Sequence, residues 1–184
     1  METILFIDSG YLSFISKYFG KNKPLKYKIE EFSERICRER KLQCKKIYFY
    51  IASPFQSQIP TEQERKRKAS YDKFIEKLKN IKPQIVIREG RCQKINNTFQ
   101  QKGVDTLMTM DLLKVPKKEN VNTLIILTSD TDFVPIIKDI KSEGIKVILA
   151  YFTDKKRKSA FSLSNHLWKA VDDRILIKRE FFNT

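Results

Sequence analysis

The chain opens on an apolar run, Thr3 to Ile7, that stops at Asp8-Ser9-Gly10. It has no polar alternation, the pattern of a strand buried on both faces. Tyr11 to Phe19 then places Leu12, Ile15 and Phe19 at helical spacing. Tyr27 to Lys41 does the same with Ile29, Phe32 and Ile36 after a break at Gly20 to Pro24. Lys46 to Ala52 is aromatic and β-branched, which predicts a strand. A proline-containing loop follows, and Thr61 to Asn80 reads as a charged helix opened by Thr61-x-x-Glu64, a capping box. Gln84 to Arg88 is the next strand, and Gly90 to Gln101 a polar loop or an extension of it. Val104 to Lys114 predicts an amphipathic helix, Thr123 to Thr128 a fully apolar strand and Phe133 to Ser142 a helix. Lys146 to Tyr151 predicts a strand, Ala160 to Ala170 a helix and Arg174 to Ile177 a last short strand. Strands alternating with helices predict an α/β fold on a mainly parallel central sheet, covered on both faces.

At 184 residues the chain fits one domain spanning residues 1–184, long enough to bury a sizeable core. No apolar stretch approaches the roughly 20 residues of a membrane span. The N-terminal segment lacks the basic lead and cleavage site of a signal peptide, so the expected location is the cytoplasm. Cys37, Cys44 and Cys92 are scattered, which argues against a disulfide framework or a cysteine zinc site. With His166 the single histidine and no Gly-x-Ser-x-Gly elbow, catalysis would have to rest on carboxylates. The net charge of +15 draws polyanions, and nucleic acid is the commonest of these in a cytoplasm.

Ligands of parallel α/β sheets bind beyond the carboxyl ends of the strands. Asp8 closes the first strand there, and Asp130 and Asp132 follow Thr123–Thr128. Asp105 lies near the start of its helix, whereas Asp111, six residues on, is about 240° around it and points elsewhere. Each aspartate could simply cap a helix, but their convergence on one edge asks for more. Carboxylates about 5 Å apart repel by roughly 3 kcal/mol per pair at an effective dielectric near 20. Protons, lysines or a divalent cation must offset that charge. Carboxylate oxygens without thiolate or imidazole select Mg²⁺ or Mn²⁺ over zinc.

Three blocks carry a resemblance: Lys102-Gly103-Val104-Asp105, Thr128-Ser129-Asp130-Thr131-Asp132-Phe133-Val134-Pro135 and Gly144-Ile145-Lys146-Val147. Together they resemble the NYN domain, LabA-like branch, a relative of the PIN-domain nucleases. The similarity runs from the first strand to the segment Ser164 to Asp173. The resemblance implies a Rossmann-like (PIN-like) three-layer fold and an endoribonuclease with an aspartate-held Mg²⁺ or Mn²⁺. It assigns catalytic and metal-holding roles to Asp8, Asp105, Asp130 and Asp132, with Asp105 either a ligand or a base for the attacking water, and a supporting hydroxyl to Ser129. One block departs from the family, whose first motif reads Asp-Gly-x-Asn where this chain has Asp8-Ser9-Gly10-Tyr11. Tyrosine cannot copy the orienting amide.

For the substrate, Arg91, Lys94, Lys102 and the run Lys155, Lys156, Arg157, Lys158 are candidate RNA-binding cations, whereas Arg65 to Lys68 reads as a solvated helix face. Tyr11 and Phe152 are candidate stacking surfaces, with core packing the stronger reading for Phe152; Trp168 is expected in the core. The expected partner is RNA, single-stranded or structured, with DNA and a homodimer left open. A non-catalytic RNA-binding or regulatory module is the alternative. An aspartyl phosphatase would need a second aspartate two residues after Asp8, where Gly10 stands.

Overall fold

The computed structural model describes residues 1–96, 98–153 and 164–183. In chain order the elements are β1 (Glu2–Asp8), α1 (Ser9–Phe19), α2 (Ile29–Arg38), β2 (Gln43–Ala52), α3 (Glu62–Lys79), β3 (Gln84–Ile95), β4 (Thr98–Lys102), α4 (Val104–Glu119), β5 (Thr123–Leu127), α5 (Val134–Ser142), β6 (Lys146–Tyr151), α6 (Asn165–Ala170) and β7 (Asp173–Leu176). Short 3-10 turns at Thr131–Phe133 and Arg179–Phe182 complete them.

The seven strands form one sheet in the order β4-β3-β2-β1-β5-β6-β7. Six of them run parallel, and β4 returns antiparallel to β3. The sheet is therefore mainly parallel, as expected, and mixed through β4 at one edge. The polar stretch after Arg88 has no hydrophobic alternation to announce a hairpin, yet β3 runs on to Ile95 and folds back. Counted by themselves, the parallel strands follow the order 3-2-1-4-5-6 of doubly wound α/β folds, in which the order reverses beside the first strand.

β1 explains the two cores. Leu5 and Ile7 enter one, with Tyr11, Leu12 and Ile15 of α1 and Phe32 and Ile36 of α2. Ile4 and Phe6 enter the other, with Val104, Met108 and Leu112 of α4, Ile137 and Ile140 of α5 and Leu167 of α6. A strand between two cores has no polar face, hence its continuous apolar sequence. Phe6 stacks on Tyr48 at 5.2 Å and reaches Tyr50 at 6.3 Å between ring centroids, fixing the β1–β2 register through large contact areas.

Local signals are realised where side-chain chemistry dictated them. Thr61 and Glu64 form the reciprocal capping box at the start of α3, and Pro135 occupies the first turn of α5, where its missing amide costs no bond. The Arg65 to Lys68 stretch lies on α3, where Lys66 pairs with Glu62 and Lys68 with Asp72 within the helix. α4 runs past Lys114 to Glu119 in spite of Pro116. The proline falls in the last turn, and its carbonyl accepts from the Val121 amide at 3.1 Å as the chain leaves.

Among the described residues no helix is long and apolar enough to cross a membrane. Trp168 is not in the core: it is 38% exposed, lies edge-on to Tyr151 and is covered by the Arg174 guanidinium 4.3 Å from its ring. Helical spacing alone could not tell this flank of α6 from its buried face.

Candidate functional site

Register fixes where the aspartates stand. Asp8 pairs with Tyr50, and Ile7, one residue earlier, with Leu127. Asp8 is thus level with Thr128, and Asp130 lies just beyond the end of β5. These adjacent strands are where the strand order reverses, the crevice that doubly wound sheets use for ligands. Asp105 reaches the same edge by another route. Gly90 pairs with Ala52, Arg91 pairs with Lys102, and α4 begins two residues after Lys102. The hairpin thereby delivers the first turn of α4 to the carboxyl edge of the sheet.

Glycine is required at one point of that route. A Cβ on Gly90 would stand 2.6 Å from the Lys102 carbonyl oxygen and 2.7 Å from Val104 Cγ2. Gly103 then turns the chain into α4 with φ of 83°, a left-handed conformation open to glycine at little cost.

Two of the aspartates do cap helices. The Gly10 and Tyr11 amides donate to Asp8 Oδ1 at 2.8 and 3.3 Å, and the Asp132 amide donates to Asp130 Oδ1 at 2.8 Å. In both, the capping bonds go to Oδ1 and hold the carboxylate in place. Asp105 does not cap α4, whose first residue follows Gly103 without a side-chain bond. Burial raises the Asp8 carboxyl above the usual aspartate range against two amide bonds that lower it, and the charges of Asp105 and Asp130 raise it further. Asp105 is raised too, first by desolvation and then by Asp130 and Asp132. Asp8 thus lies within the field of Asp105 and Asp130, and Asp105 within that of Asp130 and Asp132. The four carboxylates do not form a closed ligand set: among the described residues no three His, Cys, Asp or Glu side chains are grouped so as to hold a metal ion.

The Asp130 loop is held by groups that the sequence pattern did not single out. The Asp130 amide donates to the buried Thr128 hydroxyl at 3.2 Å, while Ser129 is half-buried. Phe133 is buried in the core beneath the 3-10 turn and anchors it there. Asp111, on the other side of α4, is a structural residue. Arg88 donates to it from Nε at 2.7 Å and from Nη2 at 3.2 Å, and the Tyr50 hydroxyl donates at 3.0 Å. This knot ties α4 to β2 and β3, and so supports the helix that carries Asp105. Burial, then the adjacent Asp111 charge, pushes the Tyr50 phenol far up, which keeps it a donor.

Tyr11 is fully buried, so it offers no stacking surface. Its hydroxyl accepts from the Phe152 amide at 2.8 Å and links the turn after Asp8 to the end of β6. Phe152 is core, packed against Phe14, Tyr18 and Phe19. Arg91, Lys94 and Lys102 are exposed on the hairpin, and Arg91 and Lys102 line a shallow depression with Glu89, Gly90, Gly103, Thr106 and Leu107. Lys155, Lys156, Arg157 and Lys158 lie outside the described residues, as do residues 160–163 of the expected last helix.

A family model described as the NYN domain matches residues 2–173. Among solved structures, a protein of unknown function from Vibrio parahaemolyticus is similar, with a TM-score of 0.63 and 12% identity over 99% of this chain and 96% of that one. At such identity the likeness concerns the fold. No curated protein matches the chain.

Proposed function

The chain belongs to the NYN domain family, and from that premise we propose that it is a Mg²⁺- or Mn²⁺-dependent endoribonuclease, within the LabA-like branch and with a PIN-like, Rossmann-type architecture. The observation that carries the reading is the meeting of two routes at one edge. Adjacent parallel strands β1 and β5 lead into Asp8 and Asp130, and the hairpin brings Asp105 within reach of the same charges.

The donors fit a hard divalent cation in kind: carboxylate oxygens, with no thiolate or imidazole among them. Asp8, Asp130 and Asp132 are the proposed ligands, and Asp105 a ligand or the base for the attacking water. Bound there, the cation would lower the pKa of a water and offset charge on the phosphoryl oxygens. The chain's own part is positional. Amide bonds from Gly10, Tyr11 and Asp132 orient Asp8 and Asp130, and Thr128 with Phe133 fixes the loop between them. Arg91, Lys94 and Lys102, with the Lys155 to Lys158 run, are the proposed phosphate contacts of the RNA.

A second reading, an RNA-binding module without cleavage, draws support from the open spacing of the carboxylates and from Tyr11 standing buried where the family carries asparagine. One assay separates the two. Labelled RNA is expected to be cut with Mg²⁺ or Mn²⁺, not with EDTA, and at least about 100-fold more slowly by Asp130→Asn, the scale of losing a key charge-stabilising group. RNA bound but uncut in both metals would establish the second reading.

A further inference from the structure

The β3–β4 hairpin carries a feature that the carboxylate edge leaves unused. Phe99, the second residue of β4, is 54% exposed. Its ring centroid lies 5.7 Å from that of Phe55, which the loop after β2 supplies, with 50° between the ring planes. Lys94 is the cross-strand partner of Phe99, so its ammonium shares that face of the hairpin. Arg91 and Lys102 pair with each other on the opposite face of the hairpin, and no acidic residue occurs between Gly90 and Val104. Gln101, two residues along the strand from Phe99 and on the same face, lines a cleft with Ser9 and Gly10, the residues that follow Asp8. The hairpin face that carries Phe99 thus leads, through Gln101, toward the turn after β1.

An exposed ring packed on a half-buried one, with a lysine beside it, matches the needs of a nucleotide strand. A base offers an aromatic face and its phosphate a negative charge, and aromatic platforms grip unpaired bases without strict sequence choice. A base inside a duplex has both faces covered by its neighbours and cannot use such a platform. We propose that Phe99 and Phe55 form a stacking platform for unpaired bases, with Lys94 holding the adjoining phosphate, so that the strand leading to the carboxylate edge is single-stranded. This rests on the nucleic-acid reading above and adds the strandedness of the substrate.

The test is fluorescence anisotropy in EDTA, so that binding is read without cleavage. The probes are a labelled 12-nucleotide single-stranded RNA and a blunt RNA duplex of the same length. Phe99→Ala is expected to weaken single-strand binding about 5- to 30-fold, the range for one lost base stack, and to leave duplex binding unchanged. Phe99→Tyr, which keeps the ring, is expected to restore single-strand binding to within about two-fold of the unaltered chain, showing that the loss is of stacking and not of folding. Equal single-strand affinity of Phe99→Ala and the unaltered chain would overturn the platform and leave the RNA reading standing. An unaltered chain that binds neither RNA, in EDTA or with Mg²⁺ or Mn²⁺ added, would remove both.

Discussion

Asp8 and Asp105 are charged groups held where charge is disfavoured. In the folded chain both carboxyls bind protons more tightly than in the unfolded one. The sign of the consequence is fixed by linkage: stability falls as pH rises from the ordinary aspartate value through the raised ones, and the penalty is complete above them. Removing one charge should relieve it. Asp105→Asn is expected to raise the melting temperature of the metal-free protein at neutral pH, and to leave it nearly unchanged where the carboxyls are protonated. In the unaltered chain Mn²⁺ should raise the neutral-pH melting temperature, and Asp105→Asn should reduce that rise. Asp111, six residues away, is expected to behave oppositely because a guanidinium and a phenol satisfy it. Asp111→Ala leaves Arg88 unpaired and should cost roughly 2–3 kcal/mol in urea denaturation, below the full value for a buried pair because a third of the Arg88 side chain remains in water.

Among the elements, the hairpin decides whether Asp105 reaches the edge at all. Gly90 lets β3 pass beneath the β4–α4 junction, so Gly90→Ala should displace Lys102 and Val104 and cost roughly 1–3 kcal/mol, the scale of overpacking. Its stronger signature should be a loss of Mn²⁺ affinity greater than an equally destabilising change in the far core produces. This element was also the least legible in the sequence. β1, β5 and β6 announce themselves because burial on both faces leaves them no polar positions, and α3 because its capping box is written in two residues. The hairpin has neither signal; its strands pair by backbone bonds beyond the edge of the cores, and most of their side chains are exposed. The aspartates at Asp8, Asp105 and Asp130 were readable from strand ends and the family blocks. Thr128 as the loop's hydroxyl, and the Arg88–Asp111–Tyr50 knot, were not, since both depend on which side chains meet across elements distant in sequence.

At the scale of the whole molecule, a chain with a surplus of 15 positive charges has an edge that gathers negative ones. The long-range field draws a polyanion toward the protein, while the carboxylates at the strand ends would repel it unless a cation stands between. The proposed divalent ion would resolve that opposition by completing the aspartates at the reversal of strand order. The measurement that tests it most directly is a manganese anomalous difference map from crystals grown with Mn²⁺. The account predicts a peak within coordination distance of carboxylate oxygens from Asp8, Asp130 and at least one of Asp105 and Asp132. A map with manganese bound elsewhere, or with none at this edge while the four carboxylates stay apart, would contradict it.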